Sequence, residues 1–546
     1  MLNKIFNSQT NSIGAAAGIL AISALISRVL GLIRDRLLAG NFGAGPELDI
    51  YFAAFRIPDF VYNVLIAGGI VVAFLPLFSE YLARNEKNSW QFTNNVLNIF
   101  LFFLILISLI LFIFTPLLVK LVAPGFNPQQ MALTILLTRL MFLSPIFFGL
   151  SSIFSGILQY FNRFLVYGLC PILYNLGIIG GIIFLAPYFG VLGVALGVIL
   201  GAFFHFAIQI PSAINCGFKY QPIFNFRDPG IKRVFKLMIP RTFATAAYQI
   251  NLIVITAIAS TLATGSIAIF NFANNLQYFP IGIIGISFAI AVFPALSRAW
   301  AEAKKEEFIK SFSSAFRQVL YLIIPTSILI FILRNQIVEI ILRYGQFTQE
   351  ASQLTAASLG LFCLGIFALS LALLIFRAFF AFQDTKTPTL IAVVGMVLNI
   401  ILSFYFTWLL KFPNAFGNFL IKIFSLSGIQ DIAVLGLPLA FSLTGISQII
   451  LLMIFLYKKI GDYKLKEIFN SFSKILIASI LMIIGIYLVL YLISPFLNLQ
   501  TFLGVFWQTL IVGLAGALVY LSATFFLKSP EIDSIKSSIL RHFTKT

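Results

Sequence analysis

A group of charged side chains interrupts two otherwise apolar runs near the start of the chain. Arg28, Arg34, Asp35 and Arg36 fall in ISALISRVLGLIRDRLLAG, and Asp49, Arg56 and Asp59 surround Pro58 in LDIYFAAFRIPDFVYNVLIAGGIVVAFLP. A charge at the centre of a membrane helix costs roughly 2.5–3.5 kcal/mol on insertion scales, so such residues face a protein interior or a wet cavity. Guanidinium groups bind phosphate through paired hydrogen bonds. The chemistry within reach is therefore capture of an anionic group inside a membrane, by Arg28 and Arg34 with a local counter-ion. On a helix, Arg28 and Asp35 share one face about two turns apart, and Arg34 lies roughly a third of a turn away. Arg36, near the helix end, is expected to snorkel toward an interface. The plainer alternative is a structural ion pair.

The elements that must position these residues follow from composition. The 546 residues are 60% hydrophobic and only 10% charged, far below the roughly 25% charge of a soluble domain. At ~20 apolar residues per crossing, the pattern predicts an all-α integral membrane protein with fourteen transmembrane helices. The first spans Gly14–Leu38, the second Asp49–Leu82, the seventh Phe235–Leu262, the eighth Ile267–Trp300 and the last Phe502–Leu527. The second, eighth and tenth exceed one bilayer thickness and must tilt or project.

Net charge is +18, but the basic residues sit mostly in short connections, so topology accounts for them before nucleic acid does. Of 36 Lys and Arg, 24 lie in the termini and even-numbered connections and 5 in the odd-numbered ones. That asymmetry places both termini in the cytoplasm. The basic clusters at Lys219–Lys236, Arg298–Lys310 and Lys458–Lys474 suit anionic inner-leaflet lipid. Within the last, Tyr463–Phe472 reads as a short helix lying on the membrane surface.

The second span ends AFLPLFSEYLARNEK (Ala73–Lys87) and the eighth AVFPALSRAWAEAKK (Ala291–Lys305), with Ala, Pro and Ser in register at an offset of 218 residues. Six spans separate the copies, so the repeat is parallel. It predicts two six-helix lobes, 1–216 and 217–460, and a third region, 461–546, holding a basic linker, two further helices and a basic tail. A substrate cavity is expected between the lobes. Pro58, Pro145, Pro240, Pro280 and Pro325 lie within spans, where neighbouring helices can satisfy the freed backbone. Gly177, Gly180, Gly181, Gly193, Gly197 and Gly201 give the fifth and sixth spans small faces for close packing.

No nucleotide loop, HExxH, paired carboxylate or nucleophile elbow is present, so the chain reads as a transporter, not an enzyme. Cys170, Cys216 and Cys363, with His205 and His542, form no metal or redox spacing. No metal or other cofactor is expected.

The chain resembles the MurJ (MviN) family of lipid II flippases, of the superfamily that also holds drug/cation antiporters and polysaccharide flippases. The resemblance rests on SRVLGLIRD (Ser27–Asp35), FGAGPELDIYFAAFRIP (Phe42–Pro58), AFLPLFSEYL (Ala73–Leu82), APGF (Ala123–Phe126), YGQFT (Tyr344–Thr348) and RAFFAFQDTKTP (Arg377–Pro388). It implies a bacterial cytoplasmic-membrane protein that moves the undecaprenyl-diphosphate-linked peptidoglycan precursor outward by alternating access. It further implies that Arg28, Arg34 and Asp35 are cavity charges, that Asp49 is a required acid at the outer end of the second helix, and that the last two helices take the lipid tail. Where members often carry Arg, Glu and Arg, this chain has Tyr62, Ala67 and Asn275. Arg56 is then expected to compensate in the cavity, with Asn275 facing the substrate.

The expected substrate-binding set is Arg28, Arg34, Asp35, Asp49, Arg56 and Asn275. The expected partners are the lipid-linked precursor and membrane lipids, with Asp35 and Asp49 the acids for any cation coupling. The rivals are a flippase for another polyprenyl-linked oligosaccharide, a cation-coupled drug exporter, whose cavity would need acids and aromatic rings in place of arginines, and a non-transporting scaffold.

Overall fold

The computed structural model describes Gln9 and residues 13–532, and every regular element among them is a helix. The expected basic tail beyond residue 532 and the remaining N-terminal residues lie outside the described residues. Among the described residues, thirteen helices are long and apolar enough to cross a membrane. The seventh expected span falls in a helix of 32 residues, Pro229–Ser260, which includes the apolar stretch Thr245–Ser260. The chain is thus all-α and polytopic.

By internal packing the described residues of Met1–Ala268 with Tyr344–Phe347 form one unit, and Ile269–Arg343 with the chain from Thr348 onward form another. The first holds α1 (Ile13–Phe42), α2 (Pro46–Val61), α3 (Val71–Arg84), α4 (Glu86–Val122), α5 (Pro128–Met141), α6 (Leu143–Tyr160), α7 (Phe164–Gly180), α8 (Val191–Ala207), α9 (Gln209–Asn215) and α10 (Pro229–Ser260). Starts are specified locally. Pro46, Pro128 and Pro229 stand at first helical turns, where the missing N–H is harmless. Asn127 and Gln130 form a reciprocal capping box on α5.

Three asparagines on one side of α4 hold the chain that leads into α10. Asn94 bonds Lys219 and Gln221, Asn95 bonds Asn225 through both its amide atoms, and Asn98 donates to the carbonyls of Gln221 and Ile223. These buried side chains supply hydrogen-bond partners to a segment that has no regular structure of its own. Beside them Phe74, Phe78, Trp90, Phe92, Phe154 and Phe218 build an aromatic core. Glycines bring α7 and the stretch after it against α8: a Cβ at Gly177 would collide with the Gly201 backbone, and one at Gly181 with Gly197.

The second unit takes up α11 (Ser266–Pro280) from Ile269 onward. It continues with α12 (Ser287–Ala301), α13 (Lys305–Ile332), α14 (Arg334–Ile341), α15 (Gln349–Ala381), α16 (Lys386–Leu410), α17 (Ala415–Phe424), α18 (Gly436–Ile460), α19 (Leu465–Ile493) and α20 (Phe502–Phe526). Its core centres on α13 and α15, with Phe308, Phe312, Phe316 and Phe379 fully enclosed. The last helix joins it through hydroxyls: Tyr520 donates to the Tyr321 carbonyl at 2.8 Å, and the Tyr321 and Thr524 hydroxyls lie 2.9 Å apart. The short surface helix expected at Tyr463–Phe472 is absent as a separate element. From Leu465 its residues are the first turns of the continuous α19, because nothing after Lys464 breaks the helical apolar run.

The internal repeat has a backbone counterpart. Tyr62–Ile70 joins α2 to α3 as a π-helix, and Ile281–Ile286 joins α11 to α12 in the same way. Shifted by 218 residues, the first stretch covers the second. Each follows a helix-interior proline, Pro58 or Pro280, that removes a backbone donor.

Candidate functional site

Within the first unit, α1 carries Arg34 and Asp35 on an apolar helix, and the two pair with each other. Arg34 Nε and Nη2 both donate to Asp35 Oδ1, at 3.0 and 2.8 Å. The Asp35 side chain is 5% exposed and that of Arg34 23%. The counter-ion expected to share a face with Arg28 is therefore engaged by its chain neighbour; the long arginine side chain spans the ~100° between them. Arg28 is half-buried and makes no hydrogen bond or ion pair with another described residue.

A residue from α7 completes this cluster. Arg34 Nη1 donates to Asn175 Oδ1 at 3.3 Å, and Asn175 Nδ2 donates to the Ser27 carbonyl and hydroxyl and to the Pro171 carbonyl, at 3.1–3.2 Å. An arginine has five N–H donors; three are used here, so two remain for a ligand. Tyr51, Tyr174 and Asp59 lie within electrostatic reach of the same guanidinium.

On α2, Arg56 Nε donates to Thr256 Oγ1 of α10 at 2.7 Å, and the Thr256 hydroxyl donates in turn to the Leu252 carbonyl at 2.8 Å. Asp59 is within electrostatic reach of both Arg56 and Arg34. It is an acid close to both cationic groups, and the sequence set omitted it. Its three-residue spacing from Arg56 on a helix was the signal available.

Asp49 is placed differently. It is 4% exposed and both carboxylate oxygens are occupied: Oδ2 accepts from the Gly265 N–H at 2.6 Å and Oδ1 from the Ala268 N–H at 2.9 Å. It caps the start of α11, where an anion meets unpaired donors and the positive helix end. Around it the motif glycines allow backbone contact. Gly265 has φ +91° and a Cβ there would collide with the Ala44 carbonyl. Gly345, at φ +57°, sits against Gly40, whose carbonyl accepts from the Gln346 N–H at 2.8 Å. Arg36, expected to snorkel, lies over the Tyr344 ring, 5.3 Å from its centre. The FGAGPELD and YGQFT strings are thus joint-forming segments.

Asn275 falls in the second unit on α11 and is half-buried. Its neighbours Asn274 and Gln277 are buried and bonded to each other at 2.8 Å.

A cavity of about 540 Å³ also lies within the first unit. It is walled by Ser23 of α1, by Tyr62, Ile66 and Ala67 of the π-helical stretch, by Ser151, Ser152 and Ser155 of α6, by Tyr167 and Pro171 of α7 and by His205 of α8. Ser151 Oγ lies 2.7 Å from His205 Nδ1 and accepts from Gln209, which in turn accepts from Ser155 at 3.0 Å. Among the described residues no three His, Cys, Asp or Glu gather as a metal site.

Comparison with known proteins follows the same lines. The family profile described as "Lipid II flippase MurJ" matches residues 38–507. A protein of Buchnera aphidicola subsp. Acyrthosiphon pisum named "Probable lipid II flippase MurJ" is 30% identical over 490 residues, covering 89% of this chain and 91% of its own length. The "Lipid II flippase MurJ" of Burkholderia cenocepacia is 28% identical over 391 residues, covering 70% and 76%. A solved structure titled "Lipid II flippase MurJ, inward closed conformation" superposes with a TM-score of 0.75 at 27% identity, covering 93% of this chain and 98% of that one. An inward-facing multidrug MATE transporter shares the fold at a TM-score of 0.65 and 14% identity, over 82% of this chain and 99% of its own. With its helices, its motif joints and the matched 38–507 in agreement, the chain belongs to the lipid II flippase MurJ family.

Proposed function

We propose that this protein is a flippase that moves lipid II, the undecaprenyl-diphosphate-linked peptidoglycan precursor, from the inner to the outer leaflet of the bacterial cytoplasmic membrane by alternating access. The observation that carries the reading is the Arg34–Asp35–Asn175 cluster, a partly open guanidinium fixed inside an apolar helix pair. A diphosphate cannot cross hydrocarbon bare, and a preset guanidinium in a polar enclosure lowers that barrier. Asp35 keeps the arginine neutralised when no substrate is bound, and the two remaining donors take phosphate oxygens.

In this reading Arg28, Arg34 and Arg56 bind the anionic head and Asn275 contributes a neutral hydrogen-bonding partner. Asp35 and Asp59 set the charge balance. Asp49 acts by position, holding the start of α11. The lobes are 1–216 and 217–460, with 461–546 as the added region, and both termini lie in the cytoplasm. A cation, where one drives the cycle, acts through Asp35, because the oxygens of Asp49 are occupied.

The test is complementation. The resident lipid II flippase of a bacterium is depleted while this chain is expressed at matched membrane levels. Restored growth and outward precursor supports the proposal. Lysis despite inserted protein overturns it and favours a different polyprenyl-linked oligosaccharide as cargo.

A further inference from the structure

The cavity within the first unit has a chemistry distinct from that of the arginine cluster. None of the residues that wall it is Asp, Glu, Lys or Arg. Its volume, about 540 Å³, falls in the range of small-ligand sites, roughly 300–1,000 Å³. Three of its hydroxyls, on Ser23, Tyr62 and Tyr167, make no hydrogen bond with any described residue. The rings of Tyr62 and Phe148 meet at 4.8 Å, giving an aromatic wall. The Ser151–His205–Gln209–Ser155 chain, by contrast, is satisfied internally and fixes the far side. Part of the near wall is π-helical, a backbone form found often at functional sites.

We propose that this cavity is a subsite for a neutral sugar ring, the one adjoining the diphosphate of the lipid-linked substrate. Unpaired hydroxyls match the alternating donors and acceptors of a sugar, aromatic faces match its C–H face, and the lack of charge excludes phosphate and charged peptide. Position agrees. Asn175 binds the Arg34 guanidinium with one end and the Pro171 carbonyl with the other, and Pro171 lines the cavity. The guanidinium therefore stands within about one helical turn, ~5 Å, of the cavity rim, a spacing suited to a phosphate and the ring bonded to it.

This inference rests on the flippase reading, and the experiment separates the two. The full chain in nanodiscs is titrated with two probes, undecaprenyl diphosphate and the same lipid carrying a single N-acetylhexosamine, and affinities are measured by native mass spectrometry. The unaltered protein is expected to bind the sugar-bearing lipid about tenfold more tightly. The Tyr62→Phe, Tyr167→Phe double variant keeps both rings and removes two unpaired hydroxyls. It should lose that preference with sugarless binding unchanged, and Ala67→Phe, which fills the space, should do the same. Equal affinities in the unaltered protein, or a preference that survives both changes, overturns the subsite alone. Binding of neither lipid overturns the flippase reading and the subsite with it. Should the double variant fail to elute as folded protein, each single Tyr→Phe variant is scored by the same preference.

Discussion

Arg34 is held by Asn175, 141 residues later in the chain, with 3.3 Å between Nη1 and Oδ1. The amide does more than accept one bond, because its nitrogen also ties α1 to α7 through Ser27 and Pro171. Asn175→Ala should therefore free the guanidinium to fold onto Asp35 alone. Hydrogen bonds to charged groups contribute about 1.5–3 kcal/mol, so precursor binding should weaken at least tenfold while membrane insertion persists. Affinity for undecaprenyl diphosphate in nanodiscs is the check; unchanged affinity counts against Asn175 as the orienting group.

Arg34→Ala should abolish rescue of a flippase-depleted strain without loss of inserted protein, and Arg34→Lys should restore only part of it. Lysine supplies charge but no planar fork for the Asp35 carboxylate, Asn175 and a phosphate at once. Growth curves with immunoblots of the membrane fraction decide this. Full activity of the alanine variant would remove Arg34 from the site.

Asp49→Ala should act on stability rather than on substrate affinity. It leaves two buried backbone donors of α11 unmet, a loss of the capping kind, on the order of 1–2 kcal/mol. A lower Tm in detergent with unchanged lipid affinity is expected. The reverse pattern would return Asp49 to the binding set.

Gly345→Ala should impair folding more than any surface change. The residue adopts φ +57° and abuts Gly40, and such a backbone costs a non-glycine residue roughly 1–3 kcal/mol before any collision. The yield of monodisperse protein measures it, and wild-type yield would show that the Tyr344–Phe347 joint is dispensable.

Asp384 gives a pH dependence outside the membrane helices. Burial raises its carboxyl, but bonds from Lys459 at 2.7 Å and from Thr387 outweigh that and leave it below its ordinary value. A lowered folded-state value stabilises the protein above the unfolded carboxylate range, ~4, and that contribution disappears as pH falls through the lowered value. Thermal unfolding between pH 3 and 6 should show a steeper acid loss in the unaltered protein than in Asp384→Asn. Parallel curves would refute the linkage.

The spans were legible because bilayer thickness forces long apolar runs, and the first-helix charges because they break one. Partners across helices were not. Asn175 carried no local mark, and Asp35 was matched with Arg28 by periodicity although Arg34 reaches it directly. Asp49 entered the expected set through the family resemblance, and the sequence carries no sign that its oxygens meet the Gly265 and Ala268 N–H groups. The helix Ala415–Phe424 was missed because ten residues, capped by Asn414, are too few to show a period. The cavity was invisible since its walls come from five separated helical segments, and its serines and tyrosines are ordinary residues for membrane helices.

The π-helical stretches change how faces are counted along a span. Such a stretch carries about one residue more than an α-turn, and one residue is ~100° of rotation. Everything beyond Ile70 is out of phase with everything before Tyr62, and the same slip recurs after Pro280. Removing one residue from Tyr62–Ile70 would bring the span back into phase and so turn Phe74 and Phe78 away from the aromatic core they now fill. The surplus residue works like a leap day. It keeps two cycles of unequal length, the wall of the cavity and the packed end of the same helix, aligned with their own neighbours.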